Sequence, residues 1–162
     1  GIEEKKLEDL CSNYSKGIVC IANYNSPSQT VISGEKAALE DISPKILEAG
    51  ALKVIKLNVS GAFHSPLMED AKAELSIAIN NSNFNEPICP IYQNVNGIGE
   101  TSLVKIKENL ISQLTSPVKW THSVNQMIKD GATDFTEIGP GKVLQGLIKK
   151  IDRSSTTSCP DL

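Results

Sequence analysis

Arginine and histidine are almost missing from this sequence: its 162 residues include one arginine, Arg153, and two histidines, His64 and His122. Aromatic residues make up only 4%. No apolar run approaches the ~18 residues of a membrane helix, and the first residues do not read as a signal peptide. With 16 Lys+Arg against 19 Asp+Glu, and a net charge of -3, there is no basic excess. Nucleic acid and anionic membrane surfaces are therefore not expected partners. The four cysteines, Cys11, Cys20, Cys89 and Cys159, form no C-x-x-C pair and have no histidine at ligand spacing. Neither a structural zinc site nor a disulfide framework is expected, and two distant histidines are too few for a metal centre. Cys20 and Cys89 lie in apolar, strand-like runs and read as small buried hydrophobes. The composition points to a soluble protein of a reducing compartment, the cytoplasm.

What is present suffices for a core. At 40% hydrophobic, the chain can form one ordinary domain or two small ones and bury roughly 70% of its unfolded surface. Residues 3–14 are charged and helix-favouring, with Leu7, Leu10 and Cys11 on one face. Residues 18–22 form a short apolar run, 23–28 a polar turn and 30–33 a second run, which together predict a hairpin. A helix follows over 35–40. Ser43-Pro44 has the form of an N-cap with proline at N1, so the helix either restarts or kinks there before ending at Gly50. Residues 52–59 alternate apolar and polar side chains and predict a half-buried strand. The order α-β-β-α-β is that of a ferredoxin-like unit lacking its first strand. Such a strand would precede Gly1, and the chain opens without an initiator methionine, so a piece of a longer protein is expected.

Beyond Gly61 the pattern changes. A helix is expected over 67–80, with Leu67, Ala71, Leu75 and Ala78 as its stripe. A strand over 87–92 leads into a turn at 94–97. Ile106, Leu110 and Leu114 mark another helix, and Trp120, Val124, Met127 and Ile128 the next. Residues 134–138 form a strand, 139–141 a turn, and Val143 to Ile151 the last helix. Residues 152–162, rich in Ser and Thr, read as a frayed tail. Strands alternating with helices indicate an α/β domain with parallel strands.

Few residues here carry chemistry. His64 sits between an expected strand and an expected helix, in Gly61-Ala-Phe-His-Ser-Pro-Leu-Met68. That is a place for a functional side chain, though a histidine before a helix is often a cap or a core residue. His122 falls off the apolar stripe of its helix and reads as exposed. Gly139-Pro-Gly-Lys142 lacks the spacing of a phosphate loop and reads as a strand-to-helix turn.

Four segments together resemble the malonyl-CoA:acyl carrier protein transacylase family. They are residues 61–68, Asn23-Tyr-Asn-Ser-Pro-Ser-Gln-Thr-Val-Ile-Ser-Gly34, Gln113-Leu-Thr-Ser-Pro-Val-Lys-Trp120 and Glu137-Ile-Gly-Pro-Gly-Lys-Val-Leu144. They stand in order and register between Gly1 and Ile151. The resemblance implies a ferredoxin-like small subdomain over 1–59 and the C-terminal part of a large α/β-hydrolase-like acyltransferase subdomain over 60–151. It implies malonyl-CoA and acyl carrier protein as partners, a place in fatty acid biosynthesis, and no cofactor or metal. His64 matches the family's catalytic base, Gln113 the residue whose backbone carbonyl orients that base, and Asn25 a residue lining the acyl pocket. Phe63, beside the base, matches the malonyl-selective form of the motif. Imidazole, with a reference pKa near 6.5, suits the removal of a serine proton at neutral pH.

The sequence also departs from the family. No G-x-S-x-G occurs in it, and Arg153 does not match the family's malonate-binding arginine. The chain thus reads as the half that holds the base without the nucleophile. Two relatives of that reading are the acyltransferase domain of a polyketide synthase, which shares the histidine motif, and a Ser-less module that only docks carrier proteins.

Overall fold

In the computed structural model, which describes residues 1–160, the N-terminal third follows its periodicity closely. Helix α1 (Glu4–Ser12) buries Leu7 and Cys11, one turn apart. Burial holds the Cys11 thiol up, to about 11. Strands β1 (Val19–Ser26) and β2 (Gln29–Gly34) form the expected antiparallel hairpin, but Asn23–Ser26, expected as turn, belong to the strand. The core side chains of β1 are Val19, Ile21 and Tyr24, so the inward positions switch from odd to even. Ala22 has no opposite number on β2, because Ile21 faces Ile32 and Asn23 faces Val31. That extra residue is a β-bulge, and one inserted residue exchanges the two faces of a strand.

Helix α2 (Lys36–Glu48) continues through Pro44, so Ser43-Pro44 neither caps nor restarts it. The Ser43 hydroxyl instead donates back to Leu39 O at 2.6 Å. Proline inside a helix costs about 3 kcal/mol. Ile42 and Ile46, 1% and 4% exposed, each contribute roughly 1.5–3 kcal/mol by burial against the hairpin, which offsets that cost. The helix ends as expected, with Gly50 at a φ of 109°.

The expected strand over 52–59 does not form. Its alternation is real, yet Leu52, Ile55 and Val59 are 88%, 62% and 61% exposed. A strand exists by pairing, and no other segment of the described chain lies alongside this one to complete a ladder. Cys89 is also exposed, contrary to expectation. The strand expected over 87–92 shrinks to β3 (Ile91–Tyr92), paired antiparallel with β4 (Gly99–Glu100).

Helix α3 (Glu69–Asn80) follows a 3-10 turn at Pro66–Met68, and only Ile79 of it is buried. The expected stripe of Leu67, Ala71, Leu75 and Ala78 is half-buried or exposed. Helices α4 (Leu103–Ser112), α5 (Trp120–Lys129) and α6 (Val143–Ile151) match their stripes in position. Val124 of α5 and Ile148 of α6 are buried, while Val143 and Leu144 face outward. Of the expected parallel pairing, one ladder is present: β5 (Asp134–Thr136) beside β6 (Thr156–Ser158). The architecture is α/β, and no helix of the described residues is long and apolar enough to cross a membrane.

Strand β6 corrects the frayed tail; Asp161 and Leu162, also placed in that tail, lie outside the described residues. The Asp152 carboxylate accepts from the backbone N–H and hydroxyl of both Ser154 and Ser155, turning the chain back toward β5. Thr156 N–H then donates to Thr133 O, and Glu137 N–H to Ser158 O, each at 2.9 Å. The Ser155 hydroxyl is the first cause that lowers the Asp152 pKa, to about 2. A carboxyl depressed on folding supports the fold above its unfolded pKa of about 3.9 and stops doing so as pH falls through about 2. Asp152→Asn is therefore expected to melt below the unsubstituted chain at pH 7. The gap should close in thermal melts between about pH 4 and pH 2, and a gap that persisted below pH 2 would refute the assignment.

Candidate active site around His64

The site is built on the outer edge of β1. Val118 N–H donates to Ala22 O at 2.8 Å and Tyr24 N–H donates to Val118 O at 2.9 Å. Thr121 adds a hydroxyl bond to Tyr24 O at 3.0 Å. The segment between α4 and α5, which contains Gln113, is thus fastened to the strand. On the same strand the Cys20 thiol lies 3.6 Å from Ser33 O and 3.7 Å from His64 O. Both parts of the site hang from one strand.

The structure brings His64 and Gln113 together: His64 Nδ1 is 2.8 Å from Gln113 O. A carbonyl only accepts, so the neutral ring carries its proton on Nδ1 and presents its lone pair at Nε2. Among the described residues Nε2 has no hydrogen-bond partner, and the side chain is only half-buried. A fixed tautomer with a free basic nitrogen is what a general base requires.

The backbone of His64 is unusual. Its φ is 58°, the one positive value at a non-glycine residue of the described chain. Left-handed backbone costs a residue with a Cβ about 1–2 kcal/mol, and such strain concentrates where a side chain must be aimed. The residues around it are tightly tied. Ser65, fully buried, donates its hydroxyl to Ala62 O at 2.6 Å and accepts from Leu67 N–H at 3.2 Å.

The other expected site residues are more loosely related to the ring. Phe63 is exposed and its ring folds back over Gly61, where a Cβ would stand 3.3 Å from it. Asn25 is half-buried and sits at a second bulge of β1, between the pairs Tyr24–Thr30 and Ser26–Gln29. Bulges re-aim a side chain out of the regular alternation. His122 belongs elsewhere: its ring stands edge-on to Tyr24 at 5.3 Å, with Nε2 3.6 Å from Glu4 Oε1. The Gly139-Pro-Gly-Lys142 segment is a turn, and the Glu137 carboxylate accepts the N–H groups of Leu144 and Gln145 at the start of α6.

Cys20 and Ser65 were not among the expected site residues. Ser65-Pro66 carried a usable signal, because serine followed by proline is an N-cap pattern. Cys20 carried none, since its role depends on which loop crosses the strand.

Known proteins resemble this chain over nearly its whole length. Residues 5–160 match the acyl transferase domain family. A malonyl CoA-acyl carrier protein transacylase of Staphylococcus aureus is 43% identical over 155 residues, covering 94% of this chain and 50% of that protein. A crystal structure of an acyl carrier protein S-malonyltransferase from Vibrio cholerae superposes with a TM-score of 0.95 at 40% identity. That superposition covers 99% of this chain and 53% of the other. A malonyl-transacylase solved in complex with a type II PKS acyl-carrier protein superposes at 0.90 with 35% identity, over 98% of this chain and 51% of its own. The chain spans about half the length of the curated relatives it matches. With a match that runs nearly end to end, the chain belongs to the acyl transferase domain family.

Proposed function

We propose that this chain carries the general-base part of a serine acyltransferase of fatty acid biosynthesis. The enzyme would move malonyl from coenzyme A to the phosphopantetheine thiol of an acyl carrier protein. The observation that carries the reading is the 2.8 Å contact of His64 Nδ1 with Gln113 O, which leaves Nε2 free to take a proton. The names of the relatives, malonyl transacylases in each case, supply donor and acceptor.

The reaction runs in two balanced halves. A serine Oγ attacks the malonyl thioester carbonyl while its proton passes to His64 Nε2; the C–S bond breaks and the coenzyme A sulfur leaves with that proton. The pantetheine thiol then gives its proton to Nε2 and attacks the malonyl-serine ester, and the serine oxygen departs with the proton. Gln113 O holds the Nδ1 proton throughout and stabilises the imidazolium that forms in between.

In this reading α1, the hairpin, α2 and residues 52–59 form the ferredoxin-like small subdomain, short of one strand. Residues 60–151 form the C-terminal part of the hydrolase-like subdomain. The serine-bearing half of the enzyme would supply the missing strand and cover the apolar side chains of 52–59. Reconstitution tests the proposal: radiolabelled malonyl should reach the carrier-protein thiol only when this chain is joined with a half that carries the G-x-S-x-G serine. Failure of the joined halves to transfer it would count against the reading.

Acyl choice would fall to Phe63. A phenyl ring one residue before the base would fill space beside the acyl Cα and leave no room for an α-methyl group. One methyl in a pocket decides about 1–3 kcal/mol, or roughly 10–200-fold. Phe63→Ser in the reconstituted enzyme is expected to relax selection toward methylmalonyl-CoA by a factor in that range while malonyl transfer continues. Competition between the two thioesters reads the ratio of kcat/KM directly, and an unchanged ratio would remove Phe63 from this role.

A further inference from the structure

We infer that Ser65 is the positioning residue that keeps the His64 imidazole on Gln113, through the backbone rather than through contact with the ring. The inference rests on the reading of His64 as the base. Ser65 is 0% exposed, and its polar groups tie the chain on both sides of His64. Upstream, its hydroxyl donates to Ala62 O at 2.6 Å. Downstream, the same oxygen accepts Leu67 N–H at 3.2 Å, and its carbonyl accepts Met68 N–H at 3.1 Å. His64 is therefore held inside a closed turn whose far side is rooted in the 3-10 turn and α3.

This explains how a residue with a Cβ stays at φ 58°. Rotation of His64 to negative φ would carry its ring off Gln113, and it would have to break the Ala62–Ser65 bond, which spans His64. The hydroxyl cannot serve as the nucleophile instead, since it is sealed from solvent and its proton is committed to Ala62 O. The Cys20 thiol near His64 O adds a second, longer tether from β1.

The test is spectroscopic and does not need turnover. The chain is labelled with 15N at histidine, and His122→Gln identifies the second ring. In the unsubstituted chain the neutral His64 ring should show its proton on Nδ1. In Ser65→Ala the spectrum should move toward the free-imidazole mixture, in which the Nε2–H form predominates, while the chain still melts cooperatively. Ser65→Cys, with nearly the same shape and a weaker donor, should move in the same direction by less. An unchanged His64 tautomer in either folded variant overturns the proposal. A measurement on the unsubstituted chain stands apart from any folding defect: the Leu67 amide should exchange with solvent at least about 10-fold more slowly than a free amide. Exchange at the free rate would show that the Ser65 oxygen does not hold it and would overturn the proposal too. Loss of the Ser65 effect leaves the base reading standing, whereas a turnover assay on His64 variants tests that reading directly.

Discussion

His64→Ala, in the enzyme joined from both halves, is expected to lower the rate of serine acylation by about 10²–10⁴-fold, the usual contribution of a general base. Substrate binding should change little, because the imidazole acts on a proton that moves only in the transition state. Two neighbours separate this from a general loss of structure. Gln113→Ala should stay near the wild-type rate, since the group that meets Nδ1 is a backbone carbonyl and survives the substitution. His122→Ala should also turn over normally. Its ring ties α5 to β1 by an edge contact with Tyr24 and to α1 by a 3.6 Å approach to the partly exposed Glu4. Those contacts bear on stability, by a few tenths to about 1.5 kcal/mol, and not on the reaction. Rapid-quench detection of the malonyl-serine adduct measures all three variants. Equal acylation by His64→Ala and the unsubstituted enzyme would take the base role from His64.

The contrast between two Ser-Pro pairs shows what could be read from the residues and what could not. Ser43-Pro44 and Ser65-Pro66 look alike locally. The first lies within a run whose apolar positions, Ala38, Ile42 and Ile46, keep helical spacing across the proline, and the helix continues. The second follows a stretch without helical spacing, and there serine does cap, accepting Leu67 N–H. Spacing over several turns outweighs the local pattern. Helices α1, α5 and α6 are legible for the same reason, since period alone fixes them, even though Val143 and Leu144 at the start of α6 stay exposed. Residues 52–59 were legible as alternation and misread as a strand, because alternation says which side chains share a face and nothing about a pairing partner. The tail was misread from its serines and threonines, although Asp152 beside Ser154 and Ser155 is a turn-forming pattern.

At the site, the position of His64 just before a helix could be read directly. Its left-handed backbone could not, since no glycine or asparagine announces it. Gln113 came only from the resemblance to a family. Its contribution is a main-chain oxygen, and any residue type would present one; what puts it in place is the pairing of Val118 with β1.

The 162-residue chain alone is expected to transfer no malonyl group, and activity should return when a half bearing the G-x-S-x-G serine is added. The base by itself is worth little without something to deprotonate. The sequence contains no G-x-S-x-G, and the hydroxyl next to His64 in the chain, that of Ser65, is buried and bonded to Ala62 O. Loss of a single oxyanion donor costs about 10²–10³-fold in comparable enzymes. The ~10³–10⁴-fold that survives removal of a triad member depends on that donor set and on substrate binding. A chain that brings the base and part of the acyl pocket without that serine is expected to fall short of these terms. The exposed apolar side chains of 52–59, with Ile88, Val143 and Leu144, give the second half a surface to cover. Mixing should therefore bury them as well as restore chemistry, and loss of hydrophobic-dye fluorescence should track the return of labelled carrier protein. Malonyl transfer by the purified chain without its complement would show that the chemistry needs no outside serine, and would overturn the division of labour proposed for the two halves.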